Sequence, residues 1–262
     1  MKNQQSLILI ISITMIGLVF LSCISPQAKP VALLISAATS YQEAIAEVGK
    51  IYKQENRHVT LSYSFGPSLY FKEQILKGIP IDLIIFASKV GKEDPELLDL
   101  LIPETLQKMP IKNPLVLIAE RDSTIPIFNF QDLVNEKVRK IALANEKLLA
   151  GKQAKEALSS LGIYDRLKNK AIFTGEDIRQ ILKAVESNKA DAGITYLTEA
   201  KRSDKVKIVA IAPENTHFQI IYTAAVVKKC QNVPEAQKFI QFLSGKTGKE
   251  IAEKHGFILI NN

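Results

Sequence analysis

The sequence predicts an α/β protein of two lobes, each a mostly parallel sheet flanked by helices. Three observations carry this. From residue 31 onward, short apolar runs alternate with amphipathic stretches, the pattern of βα units. The 262 residues exceed a typical single core. Helical patterning breaks at Met109-Pro110 and Asn113-Pro114, and again near Pro213 to His217, giving the chain two places to pass between lobes. Residues 31–110 with 219–262 then form one lobe and 111–218 the other, with a ligand expected between them.

The elements follow in order. Val31–Ile35 is continuously apolar, as a buried parallel strand is. The small residues Ala37-Ala38-Thr39-Ser40 lead into a helix expected from about Tyr41 to residue 54, with Ser40 and Glu43 spaced as a capping box. Tyr41, Ile45, Val48 and Tyr52 recur at helical spacing, so this helix lies on the sheet and aims its first N–H groups at the carboxyl edge. Such helix starts favour anions. Val59–Tyr63 is the next strand, running through Phe65-Gly66-Pro67 to a helix at 68–77 that Ser68 caps and Gly78 stops. Leu83–Ala87 follows. In the second lobe, Leu115–Ala119 precedes Ile141–Ala144, which leads through Leu149-Ala150-Gly151 to a helix at 151–161 stopped by Gly162. Ala171–Phe173 leads through Gly175-Glu176-Asp177-Ile178 to a helix at 177–187 stopped by Asn188, and Ala192–Thr195 ends at Tyr196. Val206–Ile211, Ile220–Val227 and a helix at 234–243 complete the pattern.

Composition narrows the function. Lys and Arg (34) exceed Asp and Glu (27), but the excess is spread over helix faces with no dense basic run or interleaved aromatics, which argues against nucleic acid. Met1-Lys2, the apolar run Leu7 to Phe20 and Leu21-Ser22-Cys23 form an export signal. It resembles a bacterial lipoprotein signal, cleaved before Cys23 with lipid added to that sulfur; the alternative is an uncleaved anchor, for which residues 7–24 are barely long enough. Either way the chain beyond the linker at 24–30 lies outside the cytoplasmic membrane. Cys230 then has no partner, so stability rests on the core and not on disulfides. His58, His217 and His255 are far apart, no His or Cys pair has metal-ligand spacing, and neither a P-loop nor a Gly-x-Ser-x-Gly elbow occurs. The chain therefore reads as a binder and not an enzyme, with no cofactor and no free metal ion.

The motifs Ala37-Ala38-Thr39-Ser40, Phe65-Gly66-Pro67-Ser68, Gln74 to Asp82, Ala150-Gly151 before Ala154 to Leu158, Glu176-Asp177-Ile178-Arg179, Ala190 to Tyr196 and Lys254-His255-Gly256-Phe257 occur in one order over the mature chain. Together they resemble the periplasmic molybdate-binding proteins of ABC importers. The resemblance implies a type II periplasmic-binding-protein fold and a monomer that captures molybdate or tungstate for a membrane permease. It implies a site made of the hydroxyls and N–H groups of Ser40 and Ser68, the N–H groups of Ala150 and Ile178, and the Tyr196 hydroxyl. Such a donor-only site suits a fully deprotonated oxyanion. Pro67, Leu149 and Asp177 depart from the family pattern, and an Asp177 carboxylate near a dianion would repel it unless it points to solvent. A binding protein for sulfate or another tetrahedral oxyanion and an exported oxyanion-sensing domain are the alternatives.

Overall fold

The structure, a computed structural model, describes residues 29–260 apart from 90–93, 168 and 175–177. The export signal with Cys23, Asp177 and the Ser68 side chain lie outside the described residues.

The chain runs β1 (Val31–Ala38), α1 (Gln42–Glu55), β2 (Val59–Gly66), α2 (Ser68–Leu76), β3 (Leu83–Lys89), α3 (Pro95–Leu98) and β4 (Gln107–Lys108). It continues with β5 (Ile111–Lys112), β6 (Leu115–Glu120), β7 (Ile141–Ala144), α4 (Leu149–Ser160), α5 (Tyr164–Leu167), β8 (Ala171–Thr174), α6 (Arg179–Glu186), β9 (Ala192–Tyr196), α7 (Leu197–Ala200) and β10 (Val206–Ile211). It ends with β11 (Ile220–Val226), α8 (Val233–Ser244), α9 (Lys246–Lys254) and β12 (Ile258–Leu259).

Two five-stranded sheets share one plan. The first has the order β2-β1-β3-β11-β4, in which β1 is parallel to β2 and β3 while β11 is antiparallel to both β3 and β4. Only β11 therefore runs against the rest. The second, taken from its β8 edge, is β8-β7-β9-β6-β10, with β6 as the reversed strand. Because they are reversed, both strands begin at the carboxyl edge of their sheet. Ile220 pairs with Lys89 at the end of β3, and Leu115 with Tyr196 at the end of β9. The chain changes sheets between β4 and β6 and returns between β10 and β11. At the first crossing β5 pairs with β12, which ties the crossing strand to the C-terminus.

The core follows the apolar periodicity. Leu33, Ile35 and Ala37 of β1 and Tyr41, Ile45, Val48 and Tyr52 are all buried in one cluster. Gly193 in β9 has no Cβ to meet the methyl groups of Ile181 and Val185, each 2.9 Å from where one would stand, so α6 lies directly on the strand. Positive φ values at Gly78 (83°), Gly162 (72°) and Asn188 (55°) stop α2, α4 and α6 where the turn residues predicted.

Several helix starts differ from expectation. The Ser40–Glu43 capping box does not form: Thr39–Tyr41 make a 3-10 turn, α1 begins at Gln42, and neither N-cap position carries a side-chain cap. Ser40 sits inside the turn instead of ahead of it, and its hydroxyl bonds Tyr222. Ser68 is likewise the first residue of α2 and not its cap; Pro67 occupies the N-cap position with extended backbone. The helix expected from residue 177 begins at Arg179. Helix α9 was not foreseen, because its apolar contribution is confined to Ile251 and Ala252 and its approach depends on Gly248, where a Cβ would fall 2.0 Å from the Leu243 carbonyl oxygen.

Candidate functional site

The carboxyl ends of β1, β2 and β9, the turn after β7 and the start of β11 open on one cleft of about 690 Å³. Ser40, Ala150, Ile178 and Tyr196 all line it. Gly66 and Pro67, just ahead of Ser68, line it as well. Four of the five predicted positions are thus brought to one space from widely separated parts of the chain.

Local structure leaves donors there. The helical segments that begin beside Ala38, Pro67, Leu148 and Ile178 have no side-chain cap. First-turn N–H groups have no intrahelical acceptor, so an uncapped start keeps both donors and positive dipole end available to an anion. At α4 the turn is held tight by Gly151, where a Cβ would stand 2.1 Å from the Asn145 carbonyl oxygen. Only a glycine lets the helix begin this close to the end of β7.

Two hydroxyls belong to fixed networks. The Tyr196 hydroxyl donates to Gln153 Oε1 at 2.7 Å, and Gln153 Nε2 donates to the Phe218 carbonyl at 2.9 Å. The carbonyl fixes which end of the amide faces Tyr196. Burial, and then the neighbouring Tyr222, hold the Tyr196 hydroxyl well above the usual phenol range, so it stays a neutral donor. Ser40 Oγ lies 2.9 Å from Tyr222 Oη, which accepts from Asn113 Nδ2 at 3.3 Å. Tyr222 is also raised by burial, opposed by its bonds to Ser40 and Asn113.

Charge is arranged around this neutral lining. Among the described lining residues two are carboxylates, and each has a donor. Asp94 accepts from Lys72 Nζ at 2.8 Å, which holds its carboxyl below the usual range, and also caps α3. Glu156 accepts from the Phe218 N–H at 2.9 Å. Lys147 and Lys152 supply exposed positive charge at the same opening. Elsewhere the two layers are joined by Arg179, which donates to Gln42 and lies 3.9 Å from Glu43, and by an Arg202–Glu43 ion pair. Among the described lining residues there is neither His nor Cys. The arrangement offers many donors to an anion.

Gln153, Tyr222 and Asn113 escaped the sequence reading. Gln153 had a signal: it is a polar residue on the Ala150, Ala154, Ala157 face of α4 and is buried there. Tyr222 and Asn113 stand at or just before the starts of reversed strands, whereas ligand residues were sought at strand ends.

Residues 33–258 match the family profile described as bacterial extracellular solute-binding protein. The chain is 34% identical over 230 residues to a Bacillus subtilis protein provisionally named as the ABC transporter substrate-binding lipoprotein YvgL, covering 87% of each. It is 31% identical over 232 residues to the molybdate-binding protein ModA of Haemophilus influenzae, covering 85% of this chain and 88% of that one. Among solved structures, the substrate-binding domain of a provisionally named molybdenum ABC transporter from Clostridium difficile superposes with a TM-score of 0.75 at 36% identity, covering 88% of this chain and 100% of that one.

Proposed function

Because the chain belongs to the bacterial extracellular solute-binding proteins, we propose that it captures molybdate in the cleft between two lobes and delivers it to the permease of an ABC importer. The observation that carries this reading is the meeting of uncapped helix starts at Ser40, Ala150 and Ile178 with the buried Tyr196 phenol on one cleft. In it, Ser40 and Ser68 donate from the first lobe, and Ala150, Ile178 and Tyr196 from the second. Hydrogen bonds to a charged acceptor are the stronger kind, and several helix starts stabilise a dianion without a buried Lys or Arg. Tungstate, nearly the same size, fits the same donors. Sulfate is smaller and leaves some of them out of reach, and a protonated phosphate lacks an acceptor for its hydrogen.

The protein binds and releases its ligand and carries out no reaction, and no cofactor enters. Its lobes are residues 31–110 with 219–262 and residues 111–218. Their closure adds the second lobe's donors to the first lobe's, so the ligand stabilises the closed state through contacts made only there. The protein acts outside the cytoplasmic membrane, as a monomer tethered through lipid on Cys23, a reading supported by the lipoprotein name of the Bacillus relative.

Calorimetric titration of the full-length protein with molybdate, tungstate, sulfate and phosphate tests this. Tight one-to-one binding of the first two alone is expected, and it should be lost in a Ser40→Ala, Ser68→Ala double variant. A double variant that binds as tightly as wild type would remove the site. A preference for sulfate would keep the fold and reject the ligand.

A further inference from the structure

Behind Ser40 lies a hydrogen-bond chain that is anchored at its far end by a backbone N–H. The Thr198 N–H can only donate, and it faces Asn113 Oδ1 at 3.3 Å, which fixes the orientation of that amide. Asn113 Nδ2 therefore spends its two hydrogens on Thr198 Oγ1 at 2.9 Å and Tyr222 Oη at 3.3 Å. Having accepted there, Tyr222 Oη is free to give its own hydrogen to Ser40 Oγ at 2.9 Å, a contact in which either hydroxyl can be the donor. With the bond in that sense Ser40 keeps its own hydroxyl hydrogen, and Ser40 lines the cleft. Thr198 and Asn113 flank the second sheet, whereas Tyr222 and Ser40 belong to the first. The chain of bonds therefore spans both.

We propose that Asn113 and Tyr222 are positioning residues that form a one-way donor relay, turning the Ser40 hydroxyl hydrogen into the cleft and so selecting oxyanions that carry no proton. This deepens the proposed function and rests on it for the ligand. The relay is well placed to keep its direction. Tyr222 has no exposed surface, and its ring is held edge-on by Phe257 with centroids 5.4 Å apart and tilted against Tyr41 at 6.3 Å. Asn113 is buried as well. Tyr222 lines the cleft, but its hydroxyl is engaged by Asn113 on one side and Ser40 on the other, and hydrogen bonds in series polarise one another in the donating sense. A hydrogen phosphate ion must donate its own hydrogen somewhere, and a Ser40 hydroxyl aimed outward meets it hydrogen to hydrogen. Without the relay the Ser40 hydroxyl rotates and can accept instead.

The test compares molybdate with hydrogen phosphate at mildly alkaline pH, where both are dianions and any change in local charge cancels from the ratio of affinities. Tyr222→Phe keeps the ring and removes the relay hydroxyl; Asn113→Ala keeps that hydroxyl and removes what orients it. Each is expected to lower the molybdate-to-phosphate affinity ratio about ten-fold, the loss of one hydrogen bond to a charged group. The double variant should go no further than Tyr222→Phe alone, since both cut one chain. Equal loss of both affinities would assign the two residues a purely structural role and overturn the relay, as would full additivity. Neutron diffraction from deuterium-exchanged wild-type crystals judges the direction without any ligand. Deuterium on Tyr222 Oη directed at Ser40 is expected, and Ser40 deuterium directed at Tyr222 would overturn the inference. A wild type that takes no oxyanion but shows the expected deuterium would reject the proposed function alone.

Discussion

The Tyr196 hydroxyl donates to Gln153 Oε1 at 2.7 Å, so a bound anion has to compete with an amide oxygen for the same hydrogen. A hydrogen bond to a charged acceptor is worth about 1.5–3 kcal/mol and one between neutral groups about 0.5–1.5, so the exchange yields about 1–1.5 kcal/mol. Tyr196→Phe is therefore expected to weaken molybdate about ten-fold in calorimetric titration, less than a donor with no prior partner would cost. An unchanged affinity would leave Tyr196 as packing. Ser40 was legible in the sequence because it follows the continuously apolar run Val31–Ile35, but its place inside a turn, where a helix cap was expected, was not. The spacing to Glu43 is shared by a true capping box and by a serine inside a 3-10 turn, and only the tertiary partner, Tyr222, separates them.

At the scale of elements, α4 begins so near the end of β7 that its first turn depends on the absence of a side chain. In Gly151→Ala the new Cβ would meet the Asn145 carbonyl, a backbone atom that cannot swing aside. The strain should cost about 1–3 kcal/mol in denaturant unfolding and weaken molybdate, because the turn carrying Ala150 must move. A variant as stable and as tight as wild type would contradict this geometry. Helix α1 shows a different dependence through Glu47, which accepts from Lys254 at 2.6 Å and from His255 at 2.7 Å on and just after α9. These bonds, Lys254 first, hold its carboxyl below the usual range. Its contribution is therefore present above the ordinary carboxylate range and is lost as the pH falls through the depressed value. The stability gap between wild type and Glu47→Gln should be well under about 1 kcal/mol near neutrality, given solvent screening, and should close in acid. A gap that widened in acid would reverse the assignment. The helices α1, α2, α4, α6 and α8, of about two to four turns each, were legible, as were the glycine and asparagine stops of α2, α4 and α6. The four-residue helices α3, α5 and α7 and the two-residue strands β4, β5 and β12 were not, because segments that short hold no period and owe their conformation to what they pack against.

For the whole molecule, the cleft depends on how closely the two sheets approach, and the contacts that span them are specific. Glu43 on α1 pairs with Arg202 and lies 3.9 Å from Arg179 at the start of α6, directly after Ile178; Arg179 also donates to Gln42. One set of charges thus joins the helix that follows Ser40 to the helix start that offers the Ile178 N–H. Separating the sheets would expose these groups to water, so they favour the arrangement in which all the cleft donors meet. Half-exposed ion pairs are worth about 0.2–1 kcal/mol, and a binding equilibrium coupled to closure inherits that amount. Glu43→Gln should therefore weaken molybdate about two- to five-fold and enlarge the ligand-free radius of gyration in small-angle scattering, while the saturated protein keeps the wild-type radius. Glu47→Gln is the matched control. It removes the same charge from the same helix, but Glu47 pairs with α9, which packs against α1 and α8 and does not reach the second sheet through that bond. An equal loss in both variants would set the cross-sheet pairs aside as the cause, and an equal gain would mark reduced long-range repulsion of the anion. If only Glu43→Gln weakens binding, and only its unliganded form expands, the cross-sheet pairs set the cost of opening, and affinity is shared between the donors that touch the anion and the charges that hold those donors together.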